Sequence, residues 1–111
     1  MLYFIYGPIV PMRRKDRKKI MKPELYILLL NNSQYYTGST NNLIRRLAEH
    51  QSGQTASTRH KLPCKLVFHQ TFDTILEARK LEIFIKKQKS RIFIEKIISG
   101  HIKLQSILGG R

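Results

Sequence analysis

Apolar and polar positions alternate in blocks along the first half of the chain. A continuous apolar run at residues 25–30 is followed by turn-forming residues at 31–33 and an aromatic-rich stretch at 34–38. Short apolar and aromatic runs favour strands, and Asn and Ser between them favour a turn, so this order predicts a β-hairpin. After a polar loop at residues 54–61, a partial period of two at 65–72 predicts a third strand.

Residues 41–51 have the spacing of a short amphipathic helix. Their apolar side chains share one face: Leu43, Ile44 and Leu47. Thr40 or Asn41 can cap the start of this helix, and Gly53 stands where a C-terminal cap belongs. We therefore expect a helix between the hairpin and the third strand.

The second half of the chain is predicted to be helical. Thr74 and Glu77 have the spacing of a capping box, which opens a helix running to about Lys89. A further apolar-periodic stretch covers residues 92–98 and ends before Ser99 and Gly100. Residues 99–111 carry no interpretable pattern and are assigned to a C-terminal tail.

Together these elements predict an α+β domain with a small, mainly antiparallel three-stranded sheet and helices packed on it. We expect the domain to span residues 23–98, preceded by a basic extension at 1–22. That extension places its apolar run before its cations, the reverse of a secretory signal. We interpret it as a flexible tail, or as an upstream extension of a chain that starts functionally at Met21. A peripheral membrane or nucleic-acid arm is the alternative.

Composition narrows the class of protein. The chain has 111 residues, 41% of them hydrophobic, which suits one small folded domain rather than a disordered tail. No run is long enough to cross a membrane, and the single Cys64 cannot form an internal disulfide. We expect a soluble cytoplasmic protein. The formal net charge of +14 favours a polyanionic partner, nucleic acid or anionic lipid.

The sequence lacks the motifs of several common kinds of functional site. One cysteine and four scattered histidines show no zinc-ligand spacing. The sequence contains no phosphate-binding P-loop, dinucleotide-binding glycine motif or serine nucleophile elbow. Nucleotide-cofactor and serine-hydrolase functions are therefore not indicated.

Glu82 occupies an unusual position on the second predicted helix. It lies about 100° from Leu81 on a helical wheel, inside the apolar stripe, where a carboxylate needs a compensating partner. Glu77 also lies near this stripe, but the capping box explains it. Two explanations stay open for Glu82: a salt bridge to Arg or Lys, or coordination of a hard cation such as Mg²⁺.

Arg46 and His50 lie four residues apart on one edge of the first predicted helix. They form either a solvated basic face paired with Glu49, or a phosphate-binding Arg beside a proton carrier. Tyr26, Tyr35 and Tyr36 lie in adjacent predicted strands, where tyrosines are more often packing residues than catalysts.

Taken together, these residues resemble the GIY-YIG nuclease superfamily. The similarity rests on the block from Tyr26 through Tyr36 and Gly38 to Arg46, and on the later Glu82. It covers about residues 23–98 and is closest to the small single-domain bacterial proteins of that superfamily, similar to the N-terminal domain of excision-repair nucleases.

The resemblance implies hydrolysis of a phosphodiester by in-line attack of water. Arg46 matches the catalytic arginine and would neutralise charge on the phosphate. Glu82 matches the glutamate that binds Mg²⁺ or Mn²⁺. Tyr36 would be the general base, Tyr26 would orient Tyr36 or the water, and His50 would relay the proton. We expect the following substrate-binding residues: Gly38, Ser39, Arg45, Arg59, His60 and Lys65.

The sequence departs from the superfamily pattern at several places, one of which is Thr37, where the second motif reads Tyr-Thr-Gly rather than Tyr-Ile-Gly. The first motif reads Glu24-Leu25-Tyr26, some larger relatives carry a lysine where this chain has Ser39, and their late asparagine has no clear counterpart. We therefore keep three hypotheses: a metal-dependent DNA endonuclease of repair, recombination or nucleic-acid turnover, a non-catalytic nucleic-acid-binding module, and a small basic RNA- or ribosome-associated protein. The endonuclease is favoured because the set of four site residues is intact: Tyr26, Tyr36, Arg46 and Glu82.

Overall fold

The computed structural model describes residues 3–4 and 21–109 of the chain. Its elements in order are β1 (Tyr3–Phe4), β2 (Glu24–Leu29), β3 (Tyr35–Thr40), α1 (Leu43–Gln51), β4 (Lys65–Thr71), α2 (Ile75–Gln88), α3 (Arg91–Ile98) and α4 (Leu104–Gly109). The predicted α+β class, the hairpin, the third strand and the helices of the domain are confirmed.

The described strands form one antiparallel sheet in the order β1-β4-β2-β3. β2 lies between β3 and β4, so β3 is an edge strand. In the hairpin register Tyr26 faces Gly38, and Leu28 faces Tyr36. The two-residue strand β1 adds to the outer side of β4, which the sequence did not predict. Residues 1–2 and 5–20 of the predicted basic extension lie outside the described residues.

Side chains of β2 alternate between two separate apolar clusters, because successive residues of a strand point to opposite faces. Tyr26 and Leu28 pack with Leu43 and Leu47 of α1. Leu25 and Ile27 pack on the other face with residues of α2, α3 and α4: Ala78, Leu81, Ile85, Ile97 and Leu104. The sheet is therefore covered on both faces, by α1 on one and by α2, α3 and α4 on the other.

Polar caps fix the helix ends. Asn42 caps α1 by accepting a hydrogen bond from the Arg45 amide, so the prediction of Thr40 or Asn41 as the cap was wrong. Thr40 instead accepts from the Asn42 amide through its hydroxyl, at 3.0 Å, which moves the helix start along by one or two residues. Gly53 follows the C-cap with φ +81°, as a residue ending a helix requires.

The helices that pack against Leu25 and Ile27 also begin and end at residues suited to helix caps. Thr74 and Glu77 form the predicted capping box of α2, which ends at Lys89 in the left-handed conformation. Residues 99–111, assigned from the sequence to a tail, contribute α4, and Leu104 of that helix is buried in the second cluster. The C-terminal helix is therefore part of the packed domain.

Candidate active site

Tyr26 is the centre of the cluster that the hairpin builds. Its side chain is fully buried and passes directly beneath Gly38 of the neighbouring strand. A Cβ atom at position 38 would lie 2.5 Å from Cζ and Oη of Tyr26. Glycine therefore allows the phenol to cross the hairpin and reach α1.

Helix α1 supplies the partners of the Tyr26 hydroxyl. Arg46 Nε donates to it at 3.3 Å, and His50 Nε2 lies 2.8 Å from it. The other ring nitrogen of His50, Nδ1, lies 2.8 Å from Oγ1 of Thr58 in the following loop. His50 and Thr58 are both fully buried. Four side chains thus form one continuous hydrogen-bonded chain.

The pKa values of His50 and Tyr26 determine the charge states of this hydrogen-bonded chain. Burial, and next the charge of Arg46, lower the pKa of His50 to about 4, so its imidazole is neutral at pH 7. Burial raises the pKa of Tyr26 above its ordinary value, so the phenol keeps its proton. A neutral imidazole donates through one ring nitrogen and accepts through the other, and the hydroxyls of Tyr26 and Thr58 can each serve as its donor or its acceptor.

Arg46 is half-buried and paired. Its Nη1 donates to Oε1 of Glu49 at 3.0 Å, one turn along α1. Burial alone would lower the pKa of Arg46, but the hydrogen bonds that it donates to Glu49, Tyr26 and Tyr36 raise it overall. The expected pairing with Glu49 is present, but the edge of α1 is not a solvated basic face, because His50 is fully buried. The bond to Tyr26 anchors the guanidinium in the cluster.

Tyr36 lies on the edge strand beside this cluster and is only partly buried. Its ring meets the ring of His50 edge-on, with centroids 5.0 Å apart, and lies 6.3 Å from the ring of Tyr26. Since Arg46 is within hydrogen-bonding reach of Tyr36, the two tyrosines flank one guanidinium. Of the two, Tyr36 is the one that solvent reaches.

Glu82 approaches the same edge strand from α2. Its Oε1 accepts a hydrogen bond from Ser39 Oγ at 2.5 Å, and its Oε2 accepts from Lys86 Nζ at 2.6 Å. The Lys86 ammonium also lies 5.7 Å from the centroid of the Tyr36 ring. The salt bridge expected for Glu82 is confirmed, and its lysine, Lys86, lies beside Tyr36. The charge of Glu82 is also close enough to contribute to the raised pKa of Tyr26.

The donor set around Glu82 suits a hard cation held by few protein ligands. Among the described residues, no group of three or more His, Cys, Asp and Glu side chains could hold a metal ion. A single carboxylate with water and phosphate oxygens is a common way of binding Mg²⁺. Glu82 fits this role, provided that Lys86 leaves Oε2, and the Lys86 side chain is 51% exposed.

The structure thus brings together most of the residues predicted for the site. They are Tyr26, Tyr36, Gly38, Ser39, Arg46, His50 and Glu82. Their roles in catalysis stay predictions. His50 differs from the expected proton relay in one respect, because it is fully buried and bonded through both nitrogens.

The remaining predicted substrate contacts are not grouped with this cluster. Arg45 is exposed on α1 and pairs with Glu49 at 3.5 Å. Arg59 and His60 are exposed on the loop after α1. Lys65 begins β4 and lines a separate cavity of about 340 Å³ at the hairpin end of the sheet. As substrate-binding residues they stay predictions.

Two participants were not identified as site residues from the sequence. Thr58 lies in a polar loop, eight residues from His50, and nothing local marks it as a buried partner. Lys86 had a signal, because a lysine four residues after a glutamate forms an ion pair on a helix. That spacing gives no indication that the pair lies beside Tyr36.

Comparison with known proteins identifies the family of the chain. The profile of the GIY-YIG catalytic domain matches residues 22–96, more than half of the chain. The chain belongs to the GIY-YIG family, which defines a nuclease superfamily, and the family and fold predicted from the sequence are confirmed.

The chain is also similar to UPF0213 proteins. UPF0213 proteins of Streptococcus pyogenes, serotype M5 (strain Manfredo) and serotype M2 (strain MGAS10270), are each 38% identical over 71 residues, which is 63% of this chain and 77% of theirs. The solution NMR structure of a UPF0213 protein from Bacillus halodurans is 34% identical and covers 71% of this chain and 84% of that one, with a TM-score of 0.47. In the described part of the chain, no helix has the length and apolarity needed to cross a membrane.

Proposed function

We propose that this protein is a metal-dependent endonuclease that hydrolyses phosphodiester bonds in DNA. The observation that carries the proposal is the meeting of Arg46, Tyr36 and Glu82 at one edge strand, in a domain of a nuclease family. A strong cation, a phenol open to solvent and a carboxylate are the groups that this reaction needs.

Arg46 binds a non-bridging oxygen of the scissile phosphate. Its guanidinium is fixed by Tyr26 and Glu49, so it meets the phosphate without reorganising. As charge accumulates on the phosphate oxygens in the transition state, the fixed cation stabilises that charge. Tyr26 therefore acts through Arg46, as a positioning residue that keeps its own proton.

Tyr36 is the candidate general base, because it is the tyrosine of the cluster that reaches solvent. Two cations lie beside it, Arg46 and Lys86. His50 packs against the Tyr36 ring and holds the Tyr26 hydroxyl, so it fixes both phenols in place. We assign His50 a positioning role in place of the proton relay.

Glu82 holds the divalent cation, Mg²⁺ or Mn²⁺, with Ser39 fixing one of its oxygens. When bound, the ion polarises the phosphate and stabilises the leaving 3′ oxygen. The bond from Ser39 would hold the Glu82 carboxylate in place for the cation. One carboxylate suits a site with a single metal ion.

The net charge of +14 suits a nucleic-acid substrate, because phosphate contacts dominate the affinity of such complexes. Phosphate contacts carry no sequence information, so we propose cleavage that is selective for structure or nonspecific. Branched or single-stranded DNA, as met in repair and recombination, is the substrate class we favour.

Cleavage of end-labelled DNA by the full-length protein tests the proposal. Single-stranded, duplex, flap and four-way-junction substrates are incubated with Mg²⁺, Mn²⁺ or EDTA, beside Glu82→Gln and, as a matched control, Glu95→Gln on α3. We expect metal-dependent products that Glu82→Gln loses and Glu95→Gln keeps.

Two other outcomes would replace the proposal. Wild type and Glu82→Gln that are equally inert, yet bind DNA with equal affinity that falls steeply with salt, indicate a non-catalytic binding module. A protein that is inert on DNA and co-purifies with RNA indicates a small basic RNA- or ribosome-associated protein. In either case the endonuclease assignment is wrong.

A further inference from the structure

Lys86 is the cation closest to the Glu82 carboxylate in the described part of the chain. It lies one turn after Glu82 on α2, and its ammonium donates to Oε2 at 2.6 Å. Half of the Lys86 side chain is exposed, whereas only 20% of the Glu82 side chain is. The Lys86 side chain therefore begins in solvent and ends at the less exposed Glu82 carboxylate.

The ammonium lies on the carboxylate that a divalent cation would use. Ser39 donates to Oε1 of Glu82 and Lys86 donates to Oε2, so a metal ion bound by this carboxylate would have to share it with the Lys86 ammonium. An ammonium and a metal ion at one carboxylate repel each other strongly at such short range. Binding of one therefore requires displacement of the other.

The same ammonium has a second contact within reach. It lies 5.7 Å from the centroid of the Tyr36 ring, inside the range of a cation–π interaction. The four-carbon stem of lysine rotates freely, so Nζ can leave Glu82 and stay beside Tyr36 without any movement of the helix. A phosphate bound next to Tyr36 would offer the displaced ammonium a new anionic partner.

We propose that Lys86 is a further functional residue of the site, an exchangeable cation that holds Glu82 before metal binds and moves to the substrate phosphate afterwards. The inference rests on the proposed function, since it assumes that Glu82 binds the metal ion. The proposed role of Lys86 predicts two results together. Removing the Lys86 charge must strengthen metal binding to the free protein and must weaken cleavage.

Neighbouring cations provide a matched comparison. Lys87 is exposed and follows Lys86 directly, so it projects about 100° further around α2. Replacing either lysine by methionine removes one positive charge and keeps an unbranched side chain of similar length. Any effect of net charge is therefore common to both variants, and an effect confined to Lys86→Met reports its contact with Glu82.

The first test is metal binding without nucleic acid. Mn²⁺ is titrated into ¹⁵N-labelled full-length protein, and the paramagnetic loss of amide signals near Ser39 and position 82 gives both the place and the affinity of binding. We expect Lys86→Met to bind Mn²⁺ about fivefold more tightly than wild type, the size of effect that a partly exposed ion pair permits. Lys87→Met should match wild type within about twofold, and Glu82→Gln should lose the site.

The second test is single-turnover cleavage at saturating Mg²⁺. We expect Lys86→Met to be slower than wild type by about tenfold, the scale of one lost charge-assisted phosphate contact, and Lys86→Arg to recover part of that loss. Tighter metal binding together with slower cleavage is a combination that loss of folding does not produce.

The two possible failures can be told apart. Glu82-dependent Mn²⁺ binding that is equal in wild type and Lys86→Met overturns the role of Lys86 and leaves the endonuclease proposal standing. Tighter Mn²⁺ binding by Lys86→Met with an unchanged cleavage rate also overturns it, because the ammonium then has no function on the substrate. Absence of Glu82-dependent Mn²⁺ binding in all variants removes the metal site itself, and both proposals fail.

Discussion

The phenol of Tyr26 and the backbone of Gly38 are in direct contact across the hairpin, at a point where no side chain fits between them. An ideal Cβ at position 38 would lie 2.5 Å from both Cζ and Oη of Tyr26. Tyr26 cannot give way easily, because its ring is fully buried and its hydroxyl is bonded to Arg46 and His50. Position 38 therefore controls where the cluster lies.

Gly38→Ala is expected to lower the free energy of unfolding by about 1–3 kcal/mol, the usual cost of adding a methyl group to a packed core. Its effect on cleavage should be larger than its effect on folding, because displacement of Tyr26 also displaces Arg46. Urea denaturation and single-turnover cleavage at a temperature where the variant is folded measure the two effects.

Gly109→Ala serves as the control, since nothing lies within 4 Å of an added Cβ at that position. It should change the free energy of unfolding by less than about 0.5 kcal/mol, as surface substitutions do. A Gly38→Ala variant as stable and active as Gly109→Ala would mean that Tyr26 is not held against the strand.

Thr58→Val is predicted to destabilise the protein by about 1–3 kcal/mol, because it removes the partner of a buried His50 nitrogen. Valine has the same shape as threonine, so packing is preserved and the hydrogen bond is the main change. The free energy of unfolding from urea titrations, and the ¹⁵N shifts that report the His50 tautomer, measure the result.

Thr55 offers a matched control three residues earlier in the same loop. Its hydroxyl is buried and has no hydrogen-bond partner among the described residues. Thr55→Val should therefore be neutral or stabilising, since burial of an unpaired hydroxyl is unfavourable. Equal destabilisation by the two substitutions would contradict the chain of bonds from Arg46 to Thr58.

Most of the fold is readable from the sequence because its elements carry local signals. The apolar run and turn of the hairpin, the capping box at Thr74 and the glycine after α1 each act within a few residues. β1 and α4 carry no such signals. A two-residue strand exists only through pairing with β4, and α4 is a six-residue helix whose Leu104 is buried by other elements.

The site is readable only in part, for the same physical reason. The position of Glu82 in an apolar stripe marks it from the helical spacing alone, because a carboxylate there must have a partner. The choice between a salt bridge and a metal ion depends on the neighbours that the fold brings to it. Ser39 comes from another element, and Thr58 reaches His50 from a loop with no periodicity.

The free energy of unfolding should decrease as the pH is lowered through a window that His50 sets. Its pKa is about 4 in the folded state and 6.5 without the fold, so between these values the unfolded chain binds more protons than the folded one. The free energy of unfolding contributed by His50 is therefore fully present above pH 6.5 and is lost as pH falls towards 4. The loss amounts to about 3 kcal/mol.

Urea denaturation at closely spaced pH values between 7 and 4 measures this slope for wild type, His50→Gln and His60→Gln. The His50 variant should be less stable at pH 7 and should show a much flatter profile below it. His60 is exposed on a loop and controls for the loss of one histidine. A profile for His50→Gln as steep as that of wild type would assign the pH dependence to other groups.

Arg46→Lys separates the geometry of the site from its charge. Lysine keeps the positive charge but has one terminal nitrogen, so it cannot bond to Tyr26 through Nε and to Glu49 through Nη1 as Arg46 does. We expect the single-turnover cleavage rate to fall by about a hundredfold, the usual cost of losing one fixed donor to the transition state.

The affinity of Arg46→Lys for nucleic acid should not change as its cleavage rate does. Affinity depends on the number of cations near the phosphates, and Arg46→Lys leaves that number unchanged. The slope of log affinity against log salt for Arg46→Lys should therefore equal that of wild type. Arg79→Lys, an exposed position on α2, controls for exchange of arginine for lysine in general. If Arg46→Lys cleaves at the wild-type rate, the charge at position 46 is sufficient and the fixed fork of Arg46 has no part in the reaction.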